Sequence, residues 1–269
     1  MLNSKEYRLL DVGGTYIKRP SLQPVPVNSS GSREEIASAF RKAVGNTEGL
    51  KGIGIAIPGP FDFSNGIFRM DHKFAAVKGE DFRSLAGVPE NIGIRFIHDV
   101  NSVLEGAIRM MGLEGQNTAL VSLGTGLGFS LAIDGKVRYG PTLSPADVIW
   151  NMPWEGGILE DKVSARGLRN IYGELGGDSN DSAASIAIKA FCGERDALEA
   201  FSIMGEHIGR ALKEILAPWD VKTLLFAGQV SRSLVLMEDS IRQYLGNKMR
   251  MTLVPDNAVY EGISTLFEN

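Results

Sequence analysis

The sequence predicts an α/β protein built as two halves of one plan, with mixed sheets flanked by helices and a ligand cleft between two domains. Three observations predict it. Two glycine-threonine loops, Asp11-Val12-Gly13-Gly14-Thr15 and Ser122-Leu123-Gly124-Thr125-Gly126-Leu127-Gly128, each follow a short, β-rich apolar run. After each loop the chain returns as a second strand, so both halves open on a hairpin. Strands then alternate with amphipathic helices, the pattern of a sheet covered by helices.

Taken in order, Arg8 to Asp11 reads as a strand and Tyr16 to Lys18 as its return. Pro20, Pro24 and Pro26 make Arg19 to Ser30 irregular or an edge strand, because proline cannot donate to a sheet ladder. Ser32 and Glu35 form a capping-box pattern ahead of Ile36, Phe40 and Val44, the apolar face of a helix. Ile53 to Ile57 is a buried strand stopped by Pro58-Gly59-Pro60, and after a loop-rich segment Ile94 to Ile97 is another, ending at His98-Asp99. A helix from Ser102 to Met111 closes the first domain, which gives boundaries of 1–113 and 114–269, with the final helix able to pack back on the first domain.

The second half repeats the opening. Thr118 to Leu123 and Phe129 to Ile133 are strands, and an Asp134-Gly135 turn leads to Lys136-Val137. Helices follow at Ser164 to Tyr172, Ala183 to Phe191 and Arg195 to Leu216. The strand Thr223 to Phe226, the Gly228 turn, a helix from Leu234, a strand at Met251 to Val254 and a helix from Ala258 complete the chain.

Composition excludes several classes of function. A chain of 269 residues, 43% hydrophobic and 22% charged, with a net charge of -4, has no basic excess to attract nucleic acid. The charged start, Met1 to Tyr7, lacks the apolar stretch of a signal peptide, and no later run is long enough to span a bilayer, so a soluble, cytoplasmic protein is expected. The single cysteine, Cys192, rules out an internal disulfide and a cysteine-built zinc site; it reads as a small buried side chain. His72 and His207 stand far apart with no ligand-like spacing, so no transition-metal site is expected. Met110-Met111 reads as core filling, and packing is the favoured reading for Trp150 and Trp154 over stacking on a sugar ring.

The glycine-threonine loops point to phosphate. A turn without side chains lets backbone N–H groups converge on a polyanion, and threonine adds a hydroxyl donor. Phosphoryl transfer also needs a divalent ion and a group that positions or deprotonates the attacking hydroxyl. Asp11 is placed to reach magnesium through water, although the same residue type stabilises turns. Asp99, at a strand-to-helix junction, is either a helix cap or a proton acceptor at the carboxyl end of a strand, where ligands of α/β folds bind. His98 beside it reads as a substrate partner, a proton shuttle or a core histidine.

Six ordered motifs resemble the ROK family of repressors and sugar kinases, within the actin-like ATPase and hexokinase superfamily. Asp11 to Lys18 resembles the first phosphate motif, Gly52 to Asp62 the sugar-side strand and loop, and His98 to Ala107 the catalytic segment. Ser122 to Val137 is similar to the second phosphate motif, Ile158 to Leu168 to the segment after the zinc knuckle, and Leu224 to Ser233 to the adenosine motif. The resemblance implies a duplicated actin-like ATPase (ribonuclease H-like) fold and ATP- and Mg2+-dependent phosphorylation of a hexose or hexose derivative. Sugar is then expected against the first domain and ATP mainly against the second, in a homodimer. It implies that Asp99 is the base, that Gly13, Gly14, Thr15, Gly124, Thr125 and Gly126 hold phosphates, and that Gly228 lies at the adenosine. Gly59, His98 and Asn101 fall on the sugar side.

Departures from the family pattern concern the sugar. His98 replaces the first Asn of the catalytic segment, which changes donor geometry at one hydroxyl. The zinc knuckle is absent where the chain reads Trp154 to Ile158, so no zinc is expected. Val148 and Asn151 stand at the family's Glu and His positions, leaving Asp147 and Glu155 as replacement carboxylates. The segment after the first phosphate motif is shorter than usual in the family, and a DNA-binding domain of the repressor type is not expected. These changes keep open a catalytically silent binding protein responsive to sugar or nucleotide, and a kinase for an amino sugar or another small metabolite.

Overall fold

Two five-stranded sheets carry the chain, and they share one strand order. A computed structural model describes residues 6–268; the expectation made on Met1 to Lys5 lies outside the described residues. The chain divides into two compact units. The first takes the described residues up to 113, together with 137–146 and those from 255 onward. The second takes 114–136 and 147–254.

In the first unit the strands, numbered in chain order, are β1 (Tyr7–Val12), β2 (Tyr16–Arg19), β3 (Leu22–Pro26), β4 (Gly52–Ile57), the short pair β5 (Phe61–Asp62) and β6 (Ile67–Phe68), and β7 (Gly93–His98). The sheet order is β3-β2-β1-β4-β7. The hairpin strands pair antiparallel, whereas β1, β4 and β7 run parallel. The prolines do place β3 at the edge. Helices α1 (Arg33–Val44), α2 (Phe82–Ala86), α3 (Asp99–Met111) and the last helix, α8 (Ala258–Thr265), complete this unit.

Alternation along β4 explains its layers. Ile53, Ile55 and Ile57 enter the core with α1, where Phe40 lies 4.9–5.7 Å from the rings of Phe68, Phe74 and Phe82. Gly52, Gly54 and Ala56 face the other way, and their small size lets Ile263 and Phe267 settle on the sheet. α3 and α8 cross just as closely. A Cβ on Gly106 would overlap the Ala258 carbonyl, and one on Gly262 the Ser102 carbonyl. The capping box expected at Ser32 is formed: Glu35 N–H donates to Ser32 Oγ at 3.4 Å, and Ser32 N–H donates to Glu35 Oε2 at 2.7 Å.

The second unit holds β8 (Thr118–Leu123), β9 (Leu127–Ile133), β10 (Lys136–Val137), the hairpin β11 (Pro153–Trp154) and β12 (Gly157–Ile158), β13 (Thr223–Ala227) and β14 (Arg250–Leu253). Its sheet order is β10-β9-β8-β13-β14, with β8, β13 and β14 parallel. Its helices are α4 (Ala165–Glu174), α5 (Ala183–Phe191), α6 (Arg195–Leu216) and α7 (Glu238–Leu245). The Asp134-Gly135 turn has positive φ at both residues (50° and 73°), as an Asp-Gly hairpin requires.

Three expectations are corrected. Cys192 is exposed rather than buried, because it sits at the end of α5 where the chain leaves through Gly193, beside a Phe191 that is itself exposed. Met110 is 41% exposed on the outer face of α3 and fills no core. The helix read as starting at Leu234 is a 3-10 turn over Val230–Leu236, kinked at Ser233, and α7 starts only at Glu238. Among the described residues no helix is long and apolar enough to cross a membrane.

Candidate functional site

Three segments of the first unit meet at the carboxyl ends of neighbouring parallel strands. β1 ends in the Asp11 to Thr15 turn, β4 in Pro58-Gly59-Pro60 and β7 in His98-Asp99. With strands roughly 5 Å apart, β1 and β7 are separated by only about 10 Å, so side chains from all three can share one ligand. The β4–β7 register pairs Ile57 with His98, which brings Gly59 beside the imidazole.

The turn after β1 is held by its own backbone. Gly13 N–H donates to Tyr16 O at 2.9 Å, so this amide is engaged within the hairpin. The carbonyls of Gly14 and Thr15 accept from Ser29 N–H and Val27 N–H at 3.2 and 2.9 Å, which anchors the turn from behind. Among the described residues, the N–H groups of Gly14 and Thr15 have no backbone partner. Gly14 also allows close approach: a Cβ there would stand 3.2 Å from Ser29 Oγ and 3.7 Å from the Lys73 side chain.

Asp99 is the first residue of α3, with a side chain 37% exposed. Its Oδ1 accepts from Val100 N–H at 2.8 Å. The same oxygen lies 2.8 Å from His98 Nδ1. That approach is too oblique for an aligned hydrogen bond and is a close polar contact. Gly59 N–H donates to His98 Nε2 at 3.2 Å. A ring nitrogen that accepts carries no proton, so the neutral imidazole is assigned its hydrogen on Nδ1, facing the carboxylate. Burial pushes the Asp99 carboxyl up, but His98, the Val100 N–H and the charge of Lys73 outweigh it and hold it below its ordinary value. A carboxylate in this state is ionised at neutral pH and able to receive a proton only as one is released to it.

Asp11 is more enclosed, at 19% side-chain exposure, with Lys18 Nζ 3.5 Å from its Oδ2. Burial raises its carboxyl above the ordinary value against the pull of Lys18, and the negative charge of Asp99 adds to the rise. A buried carboxylate whose charge is disfavoured by its surroundings is one that a cation stabilises. Magnesium takes one or two carboxylates and fills its remaining positions with water and phosphate oxygens, so Asp11 fits such an ion without a protein cage. Among the described residues no group of three or more His, Cys, Asp or Glu could hold a metal by itself. Asn101 is fully buried in α3, so its effect on a ligand passes through its neighbours.

The second unit repeats the loop but builds it differently. Gly124 N–H bonds Gly126 O at 3.0 Å, and Gly124 O accepts from Ala165 N–H at 2.9 Å, tying the loop to the start of α4. Glu160 Oε2 takes Leu127 N–H at 2.9 Å and stands 2.6 Å from where a Gly126 Cβ would be. Thr125 is exposed. Gly228 follows β13, the parallel neighbour of β8, at φ +89°, and a Cβ there would overlap the Leu123 carbonyl.

The segment with altered sugar ligands also lies in this unit. Asp147 is half-buried and Asn151 exposed, both ahead of β11. Glu155 does not stand as a free carboxylate: Arg210 Nη1 pairs with it at 2.5 Å and holds it below the ordinary value. Trp154 packs, as expected, against α6. Its Nε1–H donates to His207 Nδ1 at 3.1 Å, and the Arg210 guanidinium lies 5.1 Å from its ring centre. Burial lowers His207 below its ordinary value. Lys73 and Glu160 were not singled out by the sequence; one sits in an irregular segment and the other inside a charged run, so neither carries a periodic or spacing signal.

The sequence profile of the ROK family matches residues 9–261. The chain belongs to the ROK family. Solved structures agree with the fold. A ROK family glucokinase from Streptomyces griseus, in complex with glucose and AMPPNP, is 19% identical and superimposes with a TM-score of 0.77 over 96% of this chain and 97% of that one. ROK hexokinase from Thermus thermophilus is also 19% identical, with a TM-score of 0.68 over 94% and 95% of the two chains. A ROK family transcriptional regulator, a homologue of E. coli MLC protein, is 16% identical with a TM-score of 0.74, and 98% of this chain covers 81% of it. No functionally curated protein matches the sequence. ROK sugar kinases and a ROK regulator therefore share this fold, and the mixed sheets flanked by helices are those of the actin-like ATPase architecture.

Proposed function

We propose that this ROK protein is an ATP-dependent kinase for a hexose or hexose derivative. The observation that carries the reading is Asp99: an accessible carboxylate at the end of β7, kept ionised by its neighbours and set beside a turn with backbone N–H groups to offer. In the proposed reaction Asp99 receives the proton of the acceptor hydroxyl, and His98 and Gly59 fix the carboxylate's outlook by bonding to each other behind it. General-base assistance of this kind is typically worth about 10²–10⁴ in rate. Gly14, Thr15, Gly124, Thr125 and Gly126 are the proposed phosphate contacts, with Gly13 shaping its turn from within and Gly228 at the adenosine. Asp11 would hold magnesium, which when bound neutralises phosphate charge. Asn101 supports α3 beneath the sugar side.

A second reading has its own support. His98 replaces an amide donor, and Glu155 is paired with Arg210, so that carboxylate is not free for a sugar hydroxyl. A site that lacks a partner for a hydroxyl loses discrimination there. This favours either a substrate other than glucose, an amino sugar among them, or a sugar-responsive binding protein without transfer. A coupled ADP-release screen with Mg2+-ATP over aldoses, ketoses, amino sugars and sugar acids separates these. Sugar-dependent ADP release supports the kinase; ligand-dependent thermal shifts without a phosphorylated product support the binding protein. The cytoplasmic location and homodimer expected from the sequence remain part of the proposal, and light scattering measures the latter.

A further inference from the structure

Lys73 lies outside every motif, yet the fold fixes it at the first loop. The next residue, Phe74, is fully buried and adopts φ +54°, a left-handed conformation that non-glycine residues take only when their surroundings enforce it. Here the enforcement is visible. The Phe74 ring packs 5.6 Å from Phe68 and 5.7 Å from Phe40, and its N–H donates to Ser29 O at 2.6 Å. Ser29 N–H in turn donates to Gly14 O at 3.2 Å. Two backbone bonds thus tie the Lys73 segment to the glycine turn.

The side chain follows from that anchoring. Its Cδ and Cε lie 3.7 Å from the place a Gly14 Cβ would occupy, in ordinary contact, so the missing methyl of glycine is the space over which the lysine stem runs. Its charge acts on the Asp99 carboxylate. Lys73 is half-buried, and among the described residues no carboxylate, hydroxyl or carbonyl pairs with its ammonium. A partly desolvated cation without a partner is unfavourable until an anion arrives. The Gly14 and Thr15 N–H groups are unengaged at the same place.

We propose that Lys73 holds the terminal phosphate of the bound nucleotide over the Gly14–Thr15 turn, beside Asp99. The assignment rests on the kinase reading for the identity of the anion. In the transfer, the acceptor oxygen forms its bond to the terminal phosphorus while the bridging P–O bond to the ADP leaving group breaks. The hydroxyl proton passes to Asp99. Lys73 contributes charge to the equatorial oxygens, as a lysine point charge does in phosphate sites. It also keeps the anion close to a carboxylate that would otherwise repel it.

The test uses the full chain with Lys73→Met, which preserves the stem and removes the charge, and Lys73→Arg, which retains charge. Calorimetry measures binding of Mg2+-AMPPNP and Mg2+-ADP. Losing a charge-assisted contact weakens AMPPNP by about 10- to 100-fold in Lys73→Met. ADP affinity stays within about twofold, and Lys73→Arg recovers part of the loss. Equal weakening of both nucleotides, or of neither, overturns the assignment. So does selective loss of gluconate binding with AMPPNP unchanged, since the lysine would then serve an anionic acceptor. The binding arm decides Lys73 whether or not transfer occurs: AMPPNP discrimination through Lys73 in a chain that phosphorylates no sugar upholds this assignment and sinks the kinase reading.

Discussion

The two sheets have the same strand order and place a glycine-threonine loop at the same point, but their charges are used differently. In the first unit Asp11, which faces Lys18, stands at the loop with Lys73 and Asp99, and none of the three side chains bonds the loop's own backbone. In the second, Glu160 is bonded to Leu127 N–H, Gly124 O is bonded to the start of α4, and Gly228 exists because any Cβ would strike Leu123. A repeated backbone plan supplies amide groups twice. The reactive charge belongs to one copy only, so substitutions should separate activity from stability according to the unit they fall in.

The largest contrast compares two loop glycines. Gly228→Ala forces a side chain into the left-handed region and against backbone, which cannot yield cheaply; a loss of about 3 kcal/mol or more in unfolding free energy is expected. Gly14→Ala meets Ser29 Oγ, which can rotate, and costs under about 1 kcal/mol. Its effect falls on nucleotide affinity, because the new methyl stands on the turn whose N–H groups are the proposed phosphate contacts, in van der Waals contact with the Lys73 stem. Denaturant titration and calorimetry on the two variants read both. Comparable stability losses would break the contrast.

A smaller effect is expected at Glu160. Glu160→Ala leaves the part-buried Leu127 N–H without its acceptor, at a cost of about 1–3 kcal/mol. Charge removal at Lys73 should leave the melting curve nearly unchanged, since no internal partner is lost. If Glu160→Ala melts like the parent protein, the Leu127 N–H does not depend on Glu160 and the contrast in how the two loops use their charges fails.

The smallest effect concerns pH. The folded-state value of Asp11 is raised, so above it the ionised carboxylate opposes folding, and below the unfolded value of about 3.9 both states are protonated and the opposition vanishes. Asp11→Asn is therefore expected to raise the melting temperature at pH 7 and to give no gain near pH 3. A gain that persists at the acidic end would mean that the charge of Asp11 is not the cause. Added Mg2+ should stabilise the parent and not the Asn variant.

Much of this arrangement is legible in the chain. Ser32 and Glu35 announce their capping box, Asp134-Gly135 its turn, and the change from Ile97 to His98-Asp99 marks a strand handing over to a helix, because each depends on residues only a few positions apart. What escapes is set by distance along the chain. Glu155 reads as a free carboxylate until Arg210, far along α6, is seen to neutralise it. Lys73 resembles any solvated loop lysine until Phe74 and Ser29 fix it over Gly14. Cys192 follows the usual preference for burial in composition, but a helix end beside Gly193 leaves it outside. The short return of residues 137–146 to the first unit has no local signature, since nothing in its own sequence names its neighbours.

The account stands on Asp99 as the acceptor of the substrate's proton. Asp99→Asn keeps the shape and the oxygen facing Val100 N–H while removing the charge, so ADP should bind about as it does to the parent and AMPPNP at least as tightly. Phosphoryl transfer to the best sugar from the screen is predicted to fall by about 10²–10⁴ in kcat. Turnover equal to that of the parent protein, with nucleotide affinity unchanged, would contradict the account.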